Sequence, residues 1–428
     1  MGAVWALEAR LANVRHCDAI VVGGGPAGTA AASVLARAGR DVVMVERTRF
    51  PRYHIGESLL PYCWWTLDRI GALEKVKAHG FQSKNGVRFI SADGRESKPF
   101  IFSQRLEHEA AWTWQVDRAS FDKVMLDHAA SLGAEVHQDT RATGTIEDGG
   151  QVVGVRAEGP GGEIELRAPW TIDASGRAGF MRVSRGWARP EHALDRVALW
   201  TYYQDFQFED PAILHNTIVA SVPDDGWFWI IPLADGVTSV GVVARRDVMF
   251  KSTKDKLEAF LAQTQRNPWI ASRIAGAQRL EDVAAEADYS YRSEWCAEDG
   301  VVLAGDAFAF LDPVFSSGVF LALRTGEEAA LGVLRALEDG RTDAAVFADY
   351  GEWACKGVEA MRKLVHSFYD PDFSMGQMVR EFPSLSGDVT DLLIGNIHRD
   401  FSDLEAALMK LGSVPESITY GRARVAAV

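Results

Sequence analysis

Cysteine is scarce in this chain: Cys17, Cys63, Cys296 and Cys355 are the only four in 428 residues, and no two stand in C-x-x-C spacing. That excludes a disulfide scaffold. With no His/Cys cluster of zinc type either, no metal site is expected. Free thiols point to a reducing cytoplasm. No apolar run is long enough to span a bilayer, so no membrane partner is expected. The first sixteen residues are interrupted by Trp5, Glu8, Arg10 and Arg15, too polar a stretch for a signal peptide. They read as a short N-terminal extension for which a helix is the expectation. Basic residues are outnumbered, 45 against 59, and the net charge of −14 argues against nucleic acid as a partner. Repeats and low-complexity blocks are also missing. A soluble globular chain of two or three domains remains.

What is present begins at Ala19. Ala-Ile-Val-Val-Gly-Gly-Gly-Pro-Ala-Gly28 is a buried-strand run ending in Gly-x-Gly-x-x-Gly and leading into a helix over residues 27–38. Such a turn aims bare backbone N–H groups at a diphosphate. Gly23 permits the tight turn, Gly25 lets the diphosphate approach, and Gly28 lets the helix pack on its strand. Ala27 and Gly28 open the helix. A second strand, residues 41–45, ends in Glu46, placed to bind a ribose hydroxyl and to repel a 2′-phosphate. FAD or NAD suits this site better than NADP.

Further on, residues 86–102 read as strands with a turn at Asp93-Gly94. Residues 121–132 form a helix stopped at Gly133, and short strands lead to Trp170-Thr-Ile-Asp-Ala-Ser-Gly176. Several strands follow over 197–244, then a helix at 252–262, a strand at 301–304, and helices over 318–365. Nucleotide-binding elements therefore flank a strand-rich middle, which implies a discontinuous dinucleotide domain with a second sheet inserted. The expected fold class is α/β: an FAD-binding Rossmann-like domain, an inserted β-sheet substrate domain and a helical C-terminal region. Residues 17–83, 112–190 and 285–345 are assigned to the first, 84–111 and 191–284 to the second, and 346–428 to the third, after the extension of 1–16.

Val301-Val-Leu-Ala-Gly-Asp306 resembles the distal flavin motif of FAD-dependent hydroxylases, whose carboxylate bonds a ribityl hydroxyl. NAD has no ribityl chain, so the resemblance implies FAD. Gln115-Val-Asp-Arg118 resembles the segment of that superfamily whose arginine contacts flavin, with a surface salt bridge as the competing reading. Asp173 to Gly176 resembles its shorter internal motif, to which a packing role is given.

Four further segments narrow the family: His54-Ile-Gly-Glu-Ser-Leu-Leu-Pro61, Phe81-Gln-Ser-Lys84-Asn-Gly86, Trp227-Phe-Trp229-Ile-Ile231-Pro232, and Asp312-Pro-Val-Phe-Ser-Ser-Gly318. Asp288-Tyr-Ser-Tyr291 agrees with them. Together they resemble the flavin-dependent halogenases, most of all the short forms that act on phenols or on pyrroles held by a carrier protein. The resemblance runs from about Cys17 into residues 369–395 and leaves out the long C-terminal domain of many phenol halogenases. It implies FAD, used as FADH2 from a separate flavin reductase, and a halide, chloride or bromide. The substrate would be a small aromatic, free or carrier-bound. Lys84 corresponds to the lysine that receives or positions the oxidised halogen, and it would need partial desolvation to be nucleophilic. Ser317 and Gly318 correspond to the halide site, with a plain helix cap as the bland alternative. The resemblance implies that Trp227, Trp229, Pro232 and Pro313 form a barrier, with an edge of ordinary core as the alternative for the tryptophan motif, and that Glu57 and Ser58 line the passage between flavin and lysine. Gly23, Gly25, Ala27, Gly28, Glu46, Arg118, Asp306 and Gly318 make up the expected cofactor site.

Three rivals share parts of this pattern. A single-component aromatic hydroxylase would take hydride from NAD(P)H directly. A reductase of isoprenoid double bonds would share the Gly-Glu-Ser segment but need neither Lys84 nor the double tryptophan. A non-catalytic flavin-binding protein would bind FAD and stop there. Trp112, Trp114, Trp200, Tyr202 and Tyr203 are candidates either for a ring pocket or for core.

Overall fold

The computed structural model describes residues 14–223, 226–287, 290–370, 373, 375–412 and 414–425. Residues 1–13 of the extension, and Asp288 with Tyr289, lie outside the described residues.

Two valine-rich segments, Ala19–Val22 and Val42–Val45, are buried at every position, as strands covered on both faces must be. They lie parallel and adjacent in a seven-stranded sheet. Glu135–His137 extends it in parallel on one side, and Trp170–Asp173 and Val301–Leu303 on the other. The antiparallel strand Trp295–Glu298 follows. Arg422–Ala423 closes that edge, so the C-terminal region is not wholly helical. The helix Pro26–Arg37 packs on this sheet beside the helices Arg118–Ser131 and Gly318–Glu338.

The second sheet has eight strands and is assembled from two distant stretches. Val197–Gln204, Asn216–Val222, Gly226–Pro232, Val237–Ala244, Gln278–Arg279 and Ala284–Ala287 come from the middle of the chain, and Gly86–Ile90 and Phe100–Ile101 come from before it. The fold is thus mixed α/β with an inserted sheet. Alternation along Gly226–Pro232 divides its side chains: Trp227, Trp229 and Ile231 face the main core, whereas Phe228 and Ile230 join a separate core behind the sheet.

The described residues of the extension, Val14–His16, form a strand parallel to Gly162–Arg167. Arg15 fixes that strand through Asp41 and Glu135. The helices Ala348–Tyr369, Met375–Glu381, Ser386–Ile394 and Ser402–Leu411 cover the main core. Among the described residues, no helix is long and apolar enough to cross a membrane.

Candidate functional site

A cavity of about 670 Å³ lies where the strand ends of the first sheet meet the inner face of the second. The fingerprint loop forms one end. Gly23 has φ +108°, and a Cβ there would stand 2.3 Å from the Ala174 carbonyl oxygen. At Gly28 a Cβ would meet the Gly23 carbonyl oxygen at 1.9 Å, so the helix can reach its strand only as glycine. Gly25 is different. Its nearest neighbour would be Arg52 Nη2 at 3.5 Å, and it opens on the cavity. It is also the helix N-cap and has no side-chain cap, which leaves the first N–H groups for an anion. This cradle, with a guanidinium beside it, fits the diphosphate of FAD. Glu46 lines the same end. Its Oε2 accepts from Gly24 N at 2.8 Å, and its Oε1 accepts from Thr48 N and Oγ1. Oε2 keeps a lone pair for a ribose hydroxyl.

At the other end stand Asp306, Pro313, Val314, Ser316 and Gly318. Burial lifts the Asp306 carboxyl to about 6, against the opposing pull of Arg118 and Arg177. Arg118 is a buried structural cation rather than a surface one. It forms a bidentate pair with Asp122, at 2.9 and 3.0 Å, and Nη1 donates to the carbonyls of Ile55 and Gly56 at 2.8 and 3.2 Å. It thereby holds the segment that carries Glu57 and Ser58 against the cavity. Asp173 is wholly internal: it accepts from Ser175 N and Met181 N and shapes the turn beside the cavity.

Lys84 ends the short strand Gln82–Lys84, paired with Thr113–Gln115. It is 0% exposed. It does not line the cavity; it lies one hydrogen bond behind its wall. Nζ donates to Ser58 Oγ at 2.7 Å and to the Leu59 carbonyl at 3.1 Å, with the Phe102 ring centroid 5.4 Å away. Ser58 Oγ in turn lies 2.7 Å from Thr217 Oγ1, and both residues face the cavity. Desolvation pushes the Lys84 ammonium down to about 7, with no carboxylate beside it to hold the charge. A substantial fraction of neutral amine at neutral pH follows.

Trp227, Trp229 and Ile231 present one face of their strand to the cavity. Gly241 stands opposite Trp229 and makes room for the indole, since a Cβ there would fall 2.1 Å from the ring. Trp227 Nε1 donates to Tyr369 Oη at 2.6 Å, and Tyr369 Oη donates to Asp312 Oδ2 at 2.8 Å. The indole wall is thereby tied to the loop that precedes Gly318. Pro232 falls on the opposite side, against a second cavity of about 340 Å³ with Phe206 and Leu233, as the period of two requires. In the 312–318 loop, Ser316 has φ +57° and reaches the cavity. Ser317 is 2% exposed, makes no side-chain cap and lies behind it.

The structure thus gathers Gly23, Gly25, Ala27, Glu46, Glu57, Ser58, Arg118, Trp227, Trp229, Asp306, Pro313 and Gly318 around one cavity. Gly28, Lys84 and Ser317 stand just behind it, and Pro232 faces elsewhere. Of the candidate ring-pocket aromatics, Trp200 lines the cavity. Tyr203 is core, Trp114 is core, and Trp112 is exposed. Sequence reasoning missed Arg52, Tyr53 and Thr217. None sits in a spaced motif; Arg52 and Tyr53 directly precede the His54 segment, and Thr217 had no local signal.

The FAD binding domain family matches residues 16–359. The 1H-pyrrole-2-carbonyl-[peptidyl-carrier protein] brominase of Pseudoalteromonas luteoviolacea is 31% identical over 388 residues, covering 90% of this chain and 93% of the relative. The corresponding chlorinase of Pseudomonas fluorescens is 29% identical over 403 residues, with 89% of each chain covered. A solved flavin-dependent brominase superposes with a TM-score of 0.83 at 28% identity, over 92% of this chain and 98% of its own. With the dinucleotide cradle, the indole wall and the buried lysine in one place, the chain belongs to the flavin-dependent halogenases, FAD-binding oxidoreductases.

Proposed function

We propose that the chain halogenates an electron-rich aromatic ring, of phenol or pyrrole type, through hypohalous acid and Lys84. The observation that carries this is the position of Lys84: fully buried, pushed down to about 7, and one hydrogen bond through Ser58 from the FAD cavity. Gly23, Gly25, Ala27, Gly28 and Glu46 would hold the adenosine diphosphate half of FAD; Arg118, Asp306 and Gly318 would stand at the flavin half. When bound as FADH2, supplied by a separate reductase, and exposed to O2, the cofactor provides the power to oxidise a halide. The backbone around Ser317 and Gly318, at the N-terminus of a 21-residue helix, is the proposed halide site. Chloride or bromide would serve. Trp227, Trp229 and Pro313 keep an aromatic substrate from the oxidising end of the cavity.

The neutral Lys84 amine takes the halogen from hypohalous acid and releases water. It then passes the halogen to the ring and recovers its hydrogen from the ring carbon. A neutral amine is required for this, and burial supplies it. The two pyrrole relatives are named for a substrate held on a peptidyl carrier protein, which supports a carrier-bound aromatic here. The test is a reaction with FAD, a flavin reductase, bromide and a panel of free and carrier-tethered phenols and pyrroles, read by mass spectrometry. Brominated product supports the reading. Hydroxylated product, or rapid bleaching of bound FAD by NADPH without a reductase, overturns it.

A further inference from the structure

Beside the cavity, a buried carboxyl is joined to the surface by two phenols. Tyr202 Oη donates to Glu57 Oε1 at 2.7 Å and lies 3.1 Å from Tyr53 Oη. The single proton of Tyr202 cannot serve both contacts. When it goes to the carboxylate, the contact between the phenols takes its proton from Tyr53. Trp200 Nε1 donates to Tyr53 Oη and fixes that ring from behind. The line runs from exposed to buried: Tyr53 is 53% exposed, Tyr202 9% and Glu57 2%. Glu57 lines the cavity, and its Oε2 is buried and accepts no hydrogen bond, although the Ser239 hydroxyl stands near the carboxyl. An unpaired carboxyl oxygen in such a place carries a cost that structure alone does not repay.

Halide oxidation gives that oxygen a task. In the reaction FADH2 + O2 + X− + H+ → FAD + HOX + H2O, halide and flavin each lose two electrons and O2 gains four. One proton must enter for every halide oxidised, and the site that receives it is walled by indoles. We propose that Glu57 delivers this proton into the cavity from its free oxygen and is reprotonated from solvent through Tyr202 and Tyr53. The assignment rests on the halide-oxidation reading above.

The surroundings suit the task. Burial raises the Glu57 carboxyl to about 7, with the Ser239 and Tyr202 hydroxyls pulling it down. The charged groups that face it are Asp117, which raises it further, and Arg118, which lowers it. Both protonation states are therefore populated at neutral pH, as a proton donor that must be reloaded requires.

The experiment pairs an infrared titration of the flavin-free protein with bromination by the FAD-loaded enzyme, for the parent chain, Glu57→Gln and Tyr202→Phe. A protonated-carboxyl band titrating near neutrality is expected in the parent, absent in Glu57→Gln and shifted in frequency in Tyr202→Phe. Bromination should fall about 100-fold in Glu57→Gln and about 10-fold in Tyr202→Phe, with the Tyr202→Phe loss growing above about pH 8 and FAD affinity within about twofold of the parent. A parent band that never appears, or that is unmoved in Tyr202→Phe, overturns the relay. So does Glu57→Gln brominating at the parent rate at every pH, a result that leaves the halogenase reading standing. If the infrared pattern is as expected and the parent brominates no aromatic at all, the proton line stands and the halogenase reading falls.

Discussion

Lys84 Nζ and Ser58 Oγ are 2.7 Å apart, the amine sealed in protein and the hydroxyl facing the cavity. That contact joins the place where an oxidant would be made to the group that would use it. Ser58→Ala removes the link and leaves the Leu59 carbonyl as the amine's remaining partner. Halogenation is expected to fall about tenfold while FAD affinity is retained, measured by steady-state product formation and flavin fluorescence.

Burial of the same amine has a consequence for stability. The folded-state value of about 7 lies below the ordinary 10.5, so between these values the unfolded chain binds more protons at this site than the folded one. Stability contributed by Lys84 therefore rises with pH across that window. Lys84→Met removes the titration while filling the space. Its stability advantage over the parent is expected to be largest at pH 7 and below. It should shrink by on the order of 3 kcal/mol toward about pH 9.5, read from urea midpoints of both proteins.

The fingerprint glycines separate binding from folding. Gly28→Ala drives a Cβ into the Gly23 carbonyl oxygen, and a loss of about 1–3 kcal/mol in unfolding free energy is expected. Gly25→Ala meets nothing closer than Arg52 Nη2 at 3.5 Å. The apoprotein should melt as the parent does, while FAD affinity falls about tenfold or more as the methyl group enters the diphosphate cradle. Calorimetry of the apoproteins and a flavin titration distinguish the two.

How much of this was legible in the sequence follows from the range of each interaction. The fingerprint, its helix and Glu46 span fewer than thirty residues, so spacing alone carried them. Trp227 and Trp229 shared a face because a strand alternates. The same rule already placed Pro232 on the other face, where the motif had to be read against its periodicity. Ser316 and Ser317 exchanged places because the chain takes a left-handed turn at Ser316, a conformation that serine rarely announces. The partnership of Glu57 with Tyr202 joins two segments 145 residues apart, and nothing local signals it. The strand Val14–His16 was likewise invisible, since its identity depends on pairing with Gly162–Arg167.

Tyr369 is the bridge between the indole wall and the loop before Gly318. Tyr369→Phe leaves Trp227 Nε1 without its acceptor and Asp312 Oδ2 without its phenol donor. A loss of about 1–3 kcal/mol in stability is expected, with a blue or red shift in tryptophan emission marking the freed indole. Denaturant melts followed by fluorescence measure both.

The most direct measurement compares the parent chain with Lys84→Ala under one set of conditions: FAD, a flavin reductase, O2, bromide and the aromatic panel. Brominated product and flavin oxidation are followed together. The parent is expected to give product bearing the bromine isotope doublet. Lys84→Ala is expected to lose product at least about 100-fold while oxidising flavin at the parent rate. Equal bromination by the two proteins would contradict the passage of halogen through Lys84.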